Sequence, residues 1–189
     1  MRTIALVSLL FCAQAALALE IAGVKVDERA ALGGAELQLN GAGIRTRIIF
    51  KVYVGALYLS SRKSTTAEVL ALEGPKRVAM TLLRDLSAEQ LVDALELGIR
   101  DNHTQAELAG LQARIDALAA IMREVGSAKE GEVITLDFLP GSGTIVTVNG
   151  KPRGNPIPGK DFYGALLKIW LGEKPVDGDL KEAMLGGGG

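Results

Sequence analysis

The sequence is poor in the side chains that carry most protein chemistry. Its 189 residues include one cysteine, Cys12, and one histidine, His103. Cys12 lies in an apolar N-terminal run, so the chain beyond it has no thiol nucleophile, disulfide or sulfur ligand for a metal. His103, in GIRDNHTQAEL, could serve as a general base or ligand. With no second ligand at metal spacing near it, it reads instead as an exposed loop histidine beside a helix start. Charge of one dominant sign is also missing. The 21 basic and 22 acidic residues leave −1, or −2 once Arg2 is removed with a leader, which offers no argument for nucleic acid or an anionic membrane surface as partner. Gly141-Ser142-Gly143 joins two expected strands and does not open a helix, so it is neither a phosphate loop nor a nucleophile elbow. Asp85, Asp93, Glu96 and Asp101 fall around one expected helix and read as its solvated face.

Long hydrophobic runs are confined to the start. MRTIALVSLLFCAQAALA has a basic residue, an apolar stretch and Ala16-Leu17-Ala18, the three-part pattern of an export signal cleaved after Ala18. The run is short of the ~20 residues that span a bilayer, and Phe11 before Cys12 argues against a lipid-modified cysteine. The expectation is a leader over 1–18, one domain over 19–185, and a frayed glycine tail over 186–189. No stable membrane anchor remains after cleavage. The protein is expected to be exported to the periplasm, or secreted where there is no outer membrane.

What is present is patterned. Ile21, Val24 and Val26 suggest a strand, Gly33-Gly34 a turn, and Leu37 and Leu39 a second strand. A short helix is expected from Ser64 to Leu72, closed by Gly74-Pro75, and then a strand over RVAMTLLRDL. Ser87 with Gln90, and Thr104 with Glu107, have capping-box spacing. The second opens the clearest amphipathic helix, with Leu108, Leu111, Ile115, Leu118, Met122 and Val125 at steps of three and four. EVITLDFLPGSGTIVTV reads as a hairpin, and Asn149-Gly150 as a further turn. A helix follows from about Asp161 to Leu171, then a last one capped by Asp177. The order implies an α+β fold, with an antiparallel sheet covered by helices on one face.

One stretch does not fit a purely structural role. GAGIRTRIIFKVYVGALYL, residues 41–59, reads as buried strand yet carries Arg45, Arg47, Tyr53 and Tyr58. A buried arginine needs a partner or an anionic target, because an unpaired charge is costly to bury. Arg45, Arg47 and Tyr53 share the parity of one strand face, but in a single straight strand Arg45 and Tyr53 stand about 26 Å apart, at ~3.3 Å per residue. They meet only if the chain doubles back near residues 47–50, where RIIF offers no Gly, Asn or Pro.

The segments NGAGIR (40–45) and FKVYVGALYL (50–59) resemble the signature of the chalcone isomerase-like superfamily, most closely its exported bacterial branch. LRDLSAE (83–89), LDFLPG (136–141) and IWLG (169–172) are similar to that branch as well. The resemblance implies an open-faced β-sandwich, a large antiparallel sheet under a layer of helices. It also implies no cofactor. In the plant enzymes of the family a phenolate adds to an α,β-unsaturated ketone to close a ring. An arginine in the glycine-rich motif activates the substrate, helped by a threonine, a tyrosine, a lysine and an asparagine. The arginine falls on Arg45. The threonine falls on Tyr53, the tyrosine on Leu91 and the asparagine on Gly98. The lysine falls near Leu82 or Leu83, and a ring-reading serine or threonine near Tyr163.

Leucine and glycine neither organise water nor donate protons. These departures resemble the family's fatty-acid-binding members, in which an arginine and a tyrosine at these positions hold a carboxylate. The expectation is a binder of a fatty acid or similar anionic amphipathic molecule, with Arg45, Tyr53 and Tyr163 as ligand-binding residues and no metal. Two alternatives stay open. One is an intramolecular lyase or isomerase using Arg45, with Tyr53 or Tyr163 as helper. The other is a structural Arg45 paired with a carboxylate such as Asp137, in a protein that acts through other proteins.

Overall fold

The computed structural model describes residues 18–187. Residues 1–17 of the expected leader, Cys12 among them, fall outside the described residues, as do Gly188 and Gly189. Strands β1 (Ala18–Ile21) and β2 (Val24–Asp27) form a small antiparallel hairpin. The main sheet is antiparallel and seven-stranded, and its strand order follows the chain: β3 (Arg29–Leu32), β4 (Ala35–Arg47), β5 (Phe50–Leu59), β6 (Lys76–Leu82), β7 (Val133–Leu139), β8 (Gly143–Val148) and β9 (Lys151–Ile157). Helix α1 (Thr66–Ala71) links β5 to β6. Helices α2 (Ala88–Arg100) and α3 (Gln105–Val125) lie between β6 and β7, and α4 (Lys160–Leu171) and α5 (Gly178–Met184) follow β9. The α+β architecture read from the sequence is the one observed.

Local chemistry accounts for most element ends. Both expected capping boxes form, Ser87 with Gln90 and Thr104 with Glu107, and a third, Thr65 with Glu68, opens α1. Asn149 and Gly150 both take positive φ, the pairing that suits a tight turn between twisted strands. Two strands escape the alternation rule. β3 is short, with only Leu32 buried. β9 is an edge strand bearing Pro152 and Pro156, which an edge tolerates because a proline lacks the ladder N–H.

The sheet separates two apolar clusters. Leu57, Leu59, Val78, Leu136 and Phe138 face the helices, packing with Leu95, Ile115, Phe162 and Trp170. Leu37, Leu39, Val54, Ala56 and Tyr58 face the other way, toward Ile21, Val24 and Val26 of the β1–β2 hairpin. The single helix-covered face expected from the sequence is therefore complemented by a small hairpin on part of the reverse side.

A bulge in β4 matters for function. Leu39 pairs with Tyr58 and Gly41 with Leu57, leaving Asn40 as the extra residue. The insertion moves odd-numbered β4 residues from the hairpin side, where Leu37 and Leu39 lie, to the helix side. There α5 packs onto Gly41 and Gly43: a Cβ at Gly41 would stand 1.9 Å from the Ala183 carbonyl oxygen. Asn40, 5% exposed, locks this geometry. Its Nδ2 donates to the carbonyls of Lys63 (2.9 Å) and Met184 (2.7 Å), and its Oδ1 accepts the Lys63 N–H at 2.7 Å. Asn40→Ala strands all three backbone groups and is expected to cost about 2–4 kcal/mol, read as a lower urea midpoint.

Candidate ligand cavity

β4 and β5 meet in a two-residue loop, Ile48-Ile49, flanked by the pair Arg47 and Phe50. The doubling back occurs without any turn-forming residue, and Ile48 takes a φ of 61° to allow it. Arg45 then lies directly opposite Tyr53 in the ladder. The two side chains that a straight strand would separate become cross-strand neighbours, with the Arg45 guanidinium carbon 5.5 Å from the Tyr53 ring centroid.

Both line a cavity of about 630 Å³ between the sheet and α2. Its inner wall is apolar, formed by Val52, Met80, Leu82, Leu95, Ile134 and Leu136, all buried. Polar groups gather at Arg45 and Tyr53. Arg47, Arg84, Asp93, Asp101 and Lys174 also border it. Asp93 and Asp101, read from the sequence as solvated helix surface, thus contribute to the boundary of the cavity.

Tyr53 is held by a residue the sequence reading gave no role. Trp170 Nε1 on α4 donates to the Tyr53 hydroxyl at 2.7 Å. That bond uses a lone pair of the oxygen, and among the described residues no acceptor takes the tyrosine's own proton. Burial pushes the Tyr53 phenol up, against the smaller opposing effects of the Arg45 charge and the Trp170 bond. The group is therefore a protonated donor at neutral pH. The Arg45 Nε is buried and has no hydrogen-bond partner. No carboxylate pairs with Arg45 among the described residues. Asp177, which touches the neighbouring residue, accepts the Thr46 and Leu180 N–H groups at 2.8 and 3.0 Å.

The alternative partner, Asp137, is taken. On β7 it stands opposite Arg77 of β6, which donates through Nε and Nη2 at 2.6 Å each. Both residues alternate with the helix-facing Val78, Leu136 and Phe138, so this pair lies on the face away from Arg45. The reading that pairs Arg45 with Asp137 is overturned by that register.

Tyr163 does not border the cavity. It is 2% exposed on α4, donates to the Leu136 carbonyl at 2.9 Å and stacks on Phe138 with ring centroids 5.3 Å apart. Its hydroxyl is engaged within the core. His103 sits at the end of α2, half-buried, with Nδ1 2.8 Å from the Ile99 carbonyl oxygen.

A model of the chalcone isomerase-like family matches residues 18–186. The chain belongs to the chalcone isomerase-like family. Among solved structures it is similar to a fatty-acid binding protein from Arabidopsis thaliana, with a TM-score of 0.68 and 14% identity, over 89% of this chain and 96% of that one. At that identity the likeness concerns the fold. No curated protein matches.

Leu91, Gly98 and Leu82, onto which the resemblance carries enzymatic helpers, all border the cavity, and none offers a polar side chain. Gly98 is buried where α2 meets α4, and a Cβ there would lie 2.8 Å from Ile169 Cγ2. Introducing an asparagine by Gly98→Asn is expected to destabilise the protein by about 1–3 kcal/mol through overpacking. A thermal melt checks the stability loss, and a chalcone assay should show no gain of ring closure.

Proposed function

We propose that this chalcone isomerase-like protein binds, without chemical conversion, a fatty acid or similar anionic amphipathic molecule. The observation that carries the reading is the pairing of Arg45 and Tyr53 at a cavity whose inner wall is apolar. Arg45 presents a forked cation whose buried Nε lacks a partner. Tyr53 presents a hydroxyl whose proton is free because Trp170 already donates to its oxygen. A carboxylate supplies acceptors for both, and an alkyl chain suits the wall of Val52, Leu82 and Ile134. The volume, about 630 Å³, falls within the ~300–1,000 Å³ of small-molecule sites. The Arabidopsis structure with this fold is that of a fatty-acid binding protein, which supports the same class of ligand.

Ring closure on an enone is less well supported. The cavity wall between sheet and α2 holds no polar group at positions 82, 91 or 98, and Tyr53 is the proton-bearing group placed beside Arg45. Its pKa, raised by burial, suits a hydrogen-bond donor and not a general base. From the leader pattern over residues 1–18 we further propose that binding takes place outside the cytoplasm.

Native mass spectrometry of protein purified from cells tests the reading, followed by titration with a series of saturated fatty acids. The expected result is a stoichiometric bound acid and affinity that rises with chain length until the cavity is filled. An empty protein that responds to no acid in the series overturns it.

A further inference from the structure

The chain places its largest exposed apolar side chains at the cavity mouth. Ile48, Ile49 and Phe50, at the tip of the β4–β5 hairpin, are 88%, 78% and 54% exposed. Leu97 of α2, also 54% exposed, borders the same cavity as Ile48 and Phe50. Soluble surfaces scatter such residues singly, and a contiguous group at a projecting tip marks a contact with another phase or molecule. Local backbone chemistry sharpens the point. A two-residue hairpin loop with positive φ at its first residue favours glycine, yet Ile48, a β-branched residue, occupies it. The fold tolerates strain there while presenting an apolar side chain to solvent.

The charge around the tip selects among occupants. Arg47 and Lys51 flank the apolar triplet in sequence, and the Arg84 guanidinium lies 5.2 Å from the Phe50 ring centroid. Arg45, Arg47 and Lys51 thus lie at or next to the tip, in a stretch of β4 and β5 that carries no acidic residue. The near-neutral total of −1 conceals this local excess. Apolar side chains ringed by cations match an interface with acyl chains beneath anionic headgroups. Of the nearby carboxylates, Asp93 and Asp101 belong to the α2 side, and Asp177 is held against the hairpin by the Thr46 N–H at 2.8 Å, on the side of the tip toward α5 and behind Ile48 and Ile49 in the chain.

We propose that the β4–β5 hairpin tip docks reversibly on an anionic lipid surface, inserting Ile48, Ile49 and Phe50 and setting the cavity mouth against the bilayer. The docking stands on the tip alone and does not require the ligand reading. If both hold, an amphipathic acid can pass between bilayer and cavity without crossing water.

Vesicle flotation of the full chain tests the proposal, with phosphatidylcholine vesicles and with equimolar phosphatidylcholine and phosphatidylglycerol. Binding is expected to favour the anionic vesicles and to weaken at high salt. Ile48→Ser/Ile49→Ser should lower it at least tenfold, and Arg47→Gln/Lys51→Gln several-fold. Ile48→Gly relieves the backbone strain, so it should raise Tm and still weaken binding, which separates docking from folding. A tryptophan introduced as Ile49→Trp reads the contact directly. Against the constant Trp170 background, lipids brominated in the acyl chain should quench it, and should not quench one introduced as Ser142→Trp at the β7–β8 turn, at the opposite end of the sheet. This comparison holds whatever residues 1–17 contribute. Equal quenching at the two positions overturns the proposal. So does a concentration-dependent dimer abolished by Ile48→Ser/Ile49→Ser in a protein that binds no vesicles, which would assign the tip to a second copy. Loss of fatty-acid binding in an Arg45 variant that still floats would leave the docking intact and bear only on the cavity.

Discussion

Arg45→Met is expected to weaken fatty-acid binding by roughly 100- to 1,000-fold while leaving the stability of the unliganded protein within about 1 kcal/mol of wild type. The two halves of this expectation have different origins. A charge-assisted hydrogen bond contributes about 1.5–3 kcal/mol, and a forked guanidinium can make two to one carboxylate. Losing both removes roughly 3–6 kcal/mol, and the lower part of that range, about 3–4 kcal/mol, applies at a site as open to water as this half-buried one. The stability half follows from what Arg45 does without ligand. Its buried Nε has no partner, no carboxylate pairs with it among the described residues, and its guanidinium carbon stands 5.5 Å from the Tyr53 ring centroid. Methionine keeps much of the apolar stem and removes an orphaned donor, which offsets the ~0.5–1 kcal/mol of a lost cation–π contact. Calorimetric titration beside urea denaturation measures both quantities. A variant that binds normally would remove Arg45 from the site. A stability loss of several kcal/mol would make it a structural residue. Because Tyr53 stays protonated through neutral pH, affinity should change little there and fall as the ligand's own carboxyl protonates, at about pH 4–5.

Asp137→Ala should give the opposite signature, a stability loss of about 3–5 kcal/mol. Asp137 is 3% exposed and Arg77 21%, so the substitution leaves a largely buried guanidinium without its carboxylate. Guanidinium is too basic to lose its proton near neutral pH, so the cation cannot escape the penalty by neutralising once Asp137 is gone. The double variant Arg77→Met/Asp137→Leu, which removes both charges, should recover most of the loss. A single-variant cost under about 1 kcal/mol would show that the pair is solvated. The pair lies on the sheet face away from the cavity, so ligand affinity per folded molecule should be unaffected in either variant.

The legibility of this protein in its sequence follows the range of the interactions involved. Capping boxes at Ser87 and Thr104 span three residues, and the apolar stripe from Leu108 to Val125 repeats every three or four, so α2 and α3 could be placed by local pattern. Asn149-Gly150 announced its turn because few residue pairs accept two successive positive φ values. β9 gave no such signal. Its prolines argue against a strand unless the strand is known to lie at an edge, and edge position is a property of the whole sheet. Trp170 looked like ordinary core on an apolar helix. Its donation to Tyr53 spans 117 residues and depends on how α4 lies over the sheet.

The cavity divides in the same way. The sequence by itself determined that the chain forms an antiparallel sheet under helices and that Arg45 is a charge on an otherwise apolar stretch of strand. Only the tertiary structure decided where Arg45 points and what it meets. The Asn40 bulge turns it to the helix side, and the Ile48-Ile49 turn, which no local preference favours, brings Tyr53 opposite it. Asp137, equally suitable by charge, is claimed by Arg77 because the β6–β7 register sets those two side by side. Local sequence fixes which residues are charged and which segments are regular. Register, bulges and packing between distant segments decide which charges become partners and which remain available to a ligand.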